Sequence, residues 1–179
     1  MEKYIALLRG INVGGNRPVP MSALKTLFEE NGFAGVSTYI QSGNVIFSGA
    51  DRKDEIREKC ADMIEQRFGF RVPVAVISAR ELADALDHAP AWWNADADAK
   101  HNAIFVIPPV TPEAVLSEVG GTKPEYEQVS CHGSVLFWSA PVATFSRTRL
   151  SRVVGSGVYD NVTIRNANTT LKLRQLTQG

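Results

Sequence analysis

Eight polar residues near the two ends of the chain have the chemistry to bind a ligand. They adjoin apolar segments, where packing alone would call for other residue types. The first four are Arg9, Asn12, Gln41 and Asn44, and the others are Arg147, Arg165, Asn166 and Lys172. Guanidinium groups suit bidentate contacts with phosphate or carboxylate, and amide groups add neutral donors. The residue types therefore predict recognition of an anionic small molecule that is phosphate- or nucleotide-like.

The segment 9–17 is the first place to look for such a site. Gly10, Gly14 and Gly15 precede a predicted helix start near Met21, and a helix N-terminus behind a glycine-rich loop can bind an anion. The glycines match neither G-x-x-x-x-G-K-[ST] nor G-x-G-x-x-G, so neither standard nucleotide fingerprint is present. The structural alternative is a loop whose glycines serve turn geometry and whose Asn12 caps backbone groups.

The other candidate residues also have structural alternatives. A tight hairpin requires glycine and asparagine near Gly43 and Asn44, so Gln41 is the residue that turn geometry does not explain. Arg165-Asn166 could simply begin a helix, with asparagine as its cap. Lys172 and the neighbouring arginines could instead pair with the acidic segment 51–65.

Catalytic and metal-binding patterns are weak. His88, His101 and His132 show no metal-ligand spacing with one another or with the cysteines, so the sequence predicts no metal and no cofactor. Cys131 and His132 are adjacent and are interpreted as turn residues. The acidic side chains are interpreted as a solvated helix face, and no general base or nucleophile stands out.

The composition is that of a globular protein without strong electrostatic partners. The 179 residues are 44% hydrophobic and 21% charged, and 19 basic residues balance 19 acidic ones. This balance disfavours nucleic acid and membrane partners, and Phe47 alone cannot supply the base-stacking surface of an RNA-binding sheet. Two cysteines and no secretory segment favour a cytoplasmic protein, expected to be a monomer or weak homodimer.

The elements that must position these residues follow a recognisable order in the first half. Strands near residues 4–8, 36–40, 44–48 and 71–77 alternate with two apolar helical stripes, which is the β-α-β-β-α-β order of a ferredoxin-like unit. Asp51 is expected to cap the second helix. Ser78 and Glu81 form a capping-box pattern for a third.

The second half is predicted to be a related, degenerate α+β unit. A hairpin is expected from segments 126–130 and 134–139, followed by a helix near residues 146–154. The predicted organisation is a ferredoxin-like lobe (1–78), a helix and connection (79–102), and a second lobe with a C-terminal helix (103–179). Trp92 and Trp93 lie in the connection, either as a plug between the lobes or as an exposed partner site. Strands with no polar face predict that the second face of the sheet is covered, either by the other lobe or by a partner chain. The candidate residues are expected to line a cleft between the two lobes.

Four segments of the chain resemble one family. They are ALLRGINVGG (6–15), TYIQSGNVIF (38–47), FRVPV (70–74) and TIRNANTTLKL (163–173). The chain is thereby identified as resembling the bacterial family called domain of unknown function 1697 (DUF 1697). The resemblance implies two related α+β lobes and no particular activity. Ala167 departs from the family pattern, in which a tryptophan is expected.

Three functional hypotheses follow from the sequence. The first is binding of an anionic small ligand. The second is an enzyme that uses the same arginine, asparagine and lysine residues to stabilise negative charge. The third is a protein-interaction module that uses Trp92-Trp93 and a sheet edge.

Overall fold

The computed structural model describes every residue from Met1 to Gly179 and shows an α+β protein with two four-stranded antiparallel sheets. The chain divides into two compact units, Met1–Leu82 with Leu173–Gly179, and Ala83–Lys172. The predicted boundaries at 1–78, 79–102 and 103–179 stay a prediction. None of the helices combines the length and apolarity needed to cross a membrane.

The first unit follows the predicted order of elements. Its elements are β1 (Glu2–Leu8), α1 (Met21–Glu30), β2 (Ala34–Tyr39), β3 (Asn44–Gly49), α2 (Lys53–Phe68) and β4 (Val74–Ser78), after which α3 (Ala79–Asp87) begins. The sheet order is β2-β3-β1-β4. Ile5 of β1 lies opposite Ile46 of β3 and Ile77 of β4, so β1 is a central strand with partners on both edges.

The apolar residues of β1 explain why it occupies the centre of the sheet. Tyr4, Ala6 and Leu8 belong to the core that also includes buried residues of α1 and α2. Ile5 and Leu7 point to the opposite face, because side chains alternate along a strand, and both are completely buried. Both faces of β1 are therefore covered, as its lack of a polar face predicted.

The second unit repeats the same strand arrangement. Its elements are β5 (Ala99–Val106), α4 (Pro112–Glu118), β6 (Gln128–His132), β7 (Val135–Pro141), β8 (Val162–Asn166) and α5 (Ala167–Thr177), and α5 continues into the first unit. The sheet order is β6-β7-β5-β8. In both units the first strand lies between the third and the fourth.

Trp93 belongs to the core of the second unit. Its indole N–H donates a 2.9 Å hydrogen bond to the Asn102 carbonyl, and its ring meets Phe137 edge-on at a centroid distance of 5.0 Å. Trp93 is buried and Trp92 is half-buried. Packing within the unit accounts for Trp93, so it is not an exposed partner site.

The prediction of a helix near residues 146–154 is wrong. Three short 3-10 segments occupy this region, Val142–Arg147, Leu150–Gly155 and Tyr159–Asn161. The Glu127 carboxylate accepts hydrogen bonds from the backbone N–H groups of Arg149 (2.7 Å) and Leu150 (3.1 Å). These two N–H groups are thus bonded to a side chain instead of to a preceding turn of α-helix.

Two further local predictions are corrected and one is confirmed. Asp51 does not cap α2, because the helix begins at Lys53 and Arg52 takes the cap position in an extended conformation without a side-chain cap. Cys131 and His132 lie on β6 and not in a turn, since the strand continues to His132. The capping box at the start of α3 is confirmed, because the backbone N–H of Glu81 donates to Ser78 Oγ and that of Ser78 to Glu81 Oε2.

Candidate functional site

The glycine loop after β1 is a miniature hairpin. Val13 and Asn16 form an isolated bridge around Gly14 and Gly15, whose φ angles of +57° and +77° suit a primed two-residue turn. The backbone N–H of Asn16 donates to the Val13 carbonyl at 2.9 Å. The glycines therefore serve turn geometry, which is the structural alternative for this loop.

Asn12 joins this loop to the β2–β3 turn. Its Nδ2 group donates 2.9 Å hydrogen bonds to the carbonyls of Val19 and Gln41, and its Oδ1 accepts one of 2.8 Å from the Val19 N–H. Both Nδ2 hydrogens are thus used by the backbone. Asn12 and Gln41 lie together, but the amide of Asn12 holds the two segments in place.

Asn44 has a similar structural role. Its side chain is fully buried, and its Nδ2 donates to the Tyr39 carbonyl (2.8 Å) and to Ser42 Oγ (3.1 Å). Gly43 beside it has φ +91°, and a Cβ there would lie 2.7 Å from Ile11 Cδ1. This turn requires Gly43 and Asn44 for its own geometry, whereas the side chain of Gln41 is exposed.

Arg9 and Arg147 differ in their surroundings. Arg9 follows β1 and is half-buried, and its backbone N–H donates to the Pro73 carbonyl at 3.1 Å. Arg147 ends the first 3-10 segment, is exposed, and places its guanidinium 5.8 Å from the centroid of the Tyr126 ring. Arg147 is therefore a surface cation held against an aromatic ring.

Arg165 is the most buried basic residue among the candidates. It lies on β8 with 7% of its surface exposed, and its Nη1 donates a 3.0 Å hydrogen bond to the Ile164 carbonyl. Burial lowers the pKa of Arg165 from 12.5 to about 10, because a low-dielectric environment disfavours the charged form. A guanidinium in such a position interacts more strongly with an anion than one in water does.

A groove of about 420 Å³ opens where β8 passes into α5. Its walls come from the segment after Trp93, from β5 and from the start of α5: Asn94, Ala95, Asp96, Ala97, Ala99, His101, Asn166, Ala167 and Asn168. Asn166 caps α5, since its Oδ1 accepts a 2.8 Å hydrogen bond from the Thr169 N–H. The helix start predicted for Arg165-Asn166 is thereby confirmed.

Arg165 lies on the same face of the sheet as His101, which lines the groove. Ala103 is the register partner of Arg165, and His101 is two residues from Ala103 on β5, so all three side chains share one face. The positive end of the α5 dipole is directed towards the groove. Lys172 lies four residues after Asn168 on α5 and is half-buried. Among the eight candidate residues, only Asn166 lines this groove.

Three polar clusters were missed from the sequence. Glu127 is 4% exposed, and its carboxylate accepts hydrogen bonds from three backbone N–H groups, those of Lys123, Arg149 and Leu150. His101 bonds through Nδ1 to Ser139 Oγ (2.5 Å) and through Nε2 to the Asp96 carbonyl (2.6 Å). The contacts of Glu127 with Arg149 and of His101 with Ser139 join residues 22 and 38 positions apart, and no spacing rule marks them.

The third cluster consists of Asp84, His88 and His132, whose ligand atoms lie within 4.8 Å of one another. The four-residue interval from Asp84 to His88 on a helical segment was the available signal, because residues i and i+4 share a helix face. The position of His132 relative to them depends on tertiary structure.

The two cysteines do not provide a thiolate. Burial raises the pKa of Cys60 to about 12, and burial followed by the nearby charge of Glu113 raises the pKa of Cys131. The thiol form of each therefore dominates at neutral pH.

The comparisons with known proteins agree with the resemblance seen in the sequence. Residues 1–137 match the family described as "Protein of unknown function (DUF1697)", which confirms the predicted family. The structure of conserved bacterial protein SP0830 from Streptococcus pneumoniae is similar, with a TM-score of 0.89 and 28% sequence identity over 100% of this chain and 99% of that chain. No curated protein matches the chain.

Proposed function

We propose that this chain, which belongs to the DUF1697 family of proteins of unknown function, binds a small anionic ligand, phosphate- or nucleotide-like, at the end of β8. Arg165 supplies the charge, and Asn166 and Asn168 line the adjoining groove. The observation that carries the proposal is the 7% exposure of Arg165. A guanidinium in a low-dielectric environment attracts an anion more strongly than one in water does, so an anion bound there would be stabilised.

The start of α5 supports the same position. α5 has 11 residues, and a helix of this length concentrates partial positive charge and free N–H groups at its first turn. Asn166 caps only the N–H of Thr169. The preceding N–H groups and the Asn168 amide remain suited to an anion in the groove.

The remaining candidates are assigned by what their side chains already do. The side chains of Asn12 and Asn44 hydrogen-bond to the backbone of neighbouring segments, so they orient Gln41 and the β2–β3 turn. It stays a prediction that the ligand also contacts Arg9, Gln41, Arg147 and Lys172. An enzyme that stabilises a developing negative charge at the same arginine is the alternative function.

We also propose that each unit is ferredoxin-like and that the protein works in a bacterial cytoplasm. The β-α-β-β-α-β order and the β2-β3-β1-β4 arrangement of the first unit support the first point. The free cysteines Cys60 and Cys131 and the similarity to a bacterial protein support the second.

Thermal unfolding with orthophosphate, pyrophosphate and nucleoside mono- and triphosphates tests the binding proposal. Binding to the folded state alone raises stability by about 2.7 kcal/mol at a ligand concentration one hundred times Kd. At least one of these anions is expected to raise the Tm of the wild type. Arg165→Gln is expected to abolish that rise.

A second variant keeps the test valid if Arg165→Gln fails to fold. Asn168→Asp places a carboxylate at the groove, where it stabilises the helix start by about 0.3–1 kcal/mol and repels an anion. Its Tm without ligand is expected to equal or exceed that of the wild type, with the ligand-induced rise lost. Gln128→Glu adds the same charge on exposed β6, outside the groove, and is expected to keep the rise. A wild type without any rise, or an Asn168→Asp variant that retains it, would refute the proposal.

A further inference from the structure

Two histidines and one aspartate in the second unit form a cluster with the composition of a metal site. Asp84 lies on α3 and His88 directly follows that helix, four residues later. His132 is the last residue of β6. The ligand atoms of the three side chains lie within 4.8 Å of one another. We propose that Asp84, His88 and His132 bind a divalent transition metal with the ligand preferences of Zn²⁺.

The hydrogen bonds of His88 prepare it to act as a ligand. Its Nδ1 lies 2.8 Å from the backbone carbonyl of Asp84 and 3.5 Å from Asp84 Oδ1. A carbonyl oxygen only accepts, so Nδ1 carries the hydrogen and Nε2 has a free lone pair in the neutral ring. A metal-binding histidine commonly has its second nitrogen held in this way, which fixes both the tautomer and the ring orientation.

His132 and Asp84 provide the other two ligands. His132 Nε2 lies 2.7 Å from Asp84 Oδ2, so a proton lies between the two atoms. A metal ion between them would take the place of that proton. With bonds of about 2.0–2.2 Å in a tetrahedron, two ligand atoms lie ~3.3 Å apart, so these side chains must rotate to bring all three ligand atoms to that distance.

The rings of His88 and His132 lie close together, and metal binding must turn one of them, because a metal bound through a ring nitrogen lies in the plane of that ring. The imidazoles of His88 and His132 have a centroid distance of 4.2 Å and an interplanar angle of 7°. Two imidazolium rings at this distance would repel each other. One shared dication bound by two neutral rings and a carboxylate avoids that repulsion and neutralises Asp84.

The donor set and the exposure decide the class of metal. Two imidazole nitrogens and one carboxylate oxygen suit Zn²⁺, Co²⁺ or Ni²⁺ better than Ca²⁺ or Mg²⁺, which prefer oxygen ligands. Asp84 and His88 are exposed and His132 is half-buried. Three protein ligands at the surface leave a coordination position open to water or to a further ligand.

The cluster is separate from the proposed anion site. None of its three residues lines the groove beside α5, and His101, which does line that groove, uses both ring nitrogens for Ser139 and Asp96. Failure of one proposal therefore leaves the other unaffected.

Zinc binding to the untagged full-length protein tests this inference. The protein is treated with EDTA, desalted and titrated with Zn²⁺ in a calorimeter, and Co²⁺ is titrated in parallel to follow its visible absorption. Wild type is expected to bind one Zn²⁺ per chain and to give the intense absorption of tetrahedral Co²⁺. His88→Ala, His132→Ala and Asp84→Asn are each expected to weaken binding at least ~10-fold, since changes at residues that only hydrogen-bond to metal ligands already cost 10–100-fold.

Two control variants separate this site from other zinc ligands. Cys131 precedes His132 on β6, and its side chain lies on the opposite face of the strand. Cys131→Ser and Asp98→Asn, which removes an exposed carboxylate outside the cluster, are both expected to bind Zn²⁺ as the wild type does. Each variant is first shown to unfold cooperatively without metal. The inference is overturned if the wild type takes up no stoichiometric Zn²⁺, or if the three ligand variants bind it unchanged.

Discussion

The Glu127 carboxylate accepts a 2.7 Å hydrogen bond from the backbone N–H of Arg149, 22 residues further along the chain. The same carboxylate accepts from the N–H groups of Lys123 and Leu150. It therefore holds the start of the second 3-10 segment against the loop that leads into β6. A buried acidic side chain replaces the helical hydrogen bonds that the sequence pattern predicts for this region.

Glu127→Gln is expected to lower the free energy of unfolding by roughly 3 kcal/mol, because an amide NH₂ would face backbone donors that have no other acceptor. Chemical denaturation measures this loss. Glu125→Gln, an exposed position two residues earlier, is the matched control and is expected to change stability by less than about 0.5 kcal/mol. Equal stability of the two variants would contradict the structural role of Glu127.

Gly43→Ala is expected to destabilise the protein by roughly 3 kcal/mol. The residue has φ +91°, and its new Cβ would lie 2.7 Å from Ile11 Cδ1 and 2.9 Å from Leu8 Cβ. A left-handed backbone alone costs about 1–2 kcal/mol for a residue other than glycine. Gly14→Ala, at φ +57° with nothing within 4 Å, isolates that backbone effect. The Tm of Gly43→Ala should therefore fall well below that of Gly14→Ala, and similar values would mean that the predicted clash is relieved.

Glu81 is expected to make part of the stability depend on pH. Burial raises the pKa of its carboxyl, but the Lys53 side chain and the Ser78 N–H outweigh this, so the pKa lies below the ordinary value of 4.5. A group whose folded-state pKa is depressed contributes stability above its unfolded pKa and loses it as the pH falls through the folded value. Lys53→Met is therefore expected to be less stable than wild type near neutral pH, with the difference shrinking below about pH 4.5.

Urea denaturation at a series of pH values measures this difference. Lys25→Met removes an exposed lysine that lies 3.8 Å from Glu29 on α1, and serves as the control. Exposed pairs of this kind contribute little. A pH dependence shared equally by the two variants would argue against the Lys53–Glu81 pair.

The two cysteines are expected to differ in their reaction with a disulfide reagent. Cys60 is completely buried with a pKa raised to about 12, so it should react only after unfolding. Cys131 is exposed, but burial of its thiol and the charge of Glu113 raise its pKa, so it should react more slowly than a free thiol. The number of cysteine thiols that react before and after denaturant is added measures the reactivity of both cysteines, with Cys131→Ser as the control.

Glu113→Gln is expected to accelerate the reaction of Cys131 by removing a neighbouring negative charge. Reaction of the folded Cys131→Ser protein with the disulfide reagent would contradict the burial of Cys60.

Local patterns were sufficient for much of the first unit. The apolar residues on both faces of β1 predicted a covered central strand, and the capping box of Ser78 and Glu81 predicted the start of α3. These features depend on alternation along a strand or on neighbours three residues apart, so the sequence displays them directly. The 3-10 region of the second unit could not be predicted from such patterns. The backbone N–H of Arg149 bonds there to the Glu127 carboxylate, which lies more than twenty residues away along the chain.

The candidate residues show the same division between sequence and tertiary structure. The amino-acid sequence determined the family through four matching segments. It also determined the order of strands and helices in the first unit and the turns at Gly14-Gly15 and Gly43, because these follow from local backbone preferences. Only the tertiary structure decided that Asn12 and Asn44 brace backbone segments, that Arg165 is buried, and that His132 meets Asp84 and His88. Burial and convergence are set by strand order and register, which place side chains in contact regardless of how far apart they are in the chain.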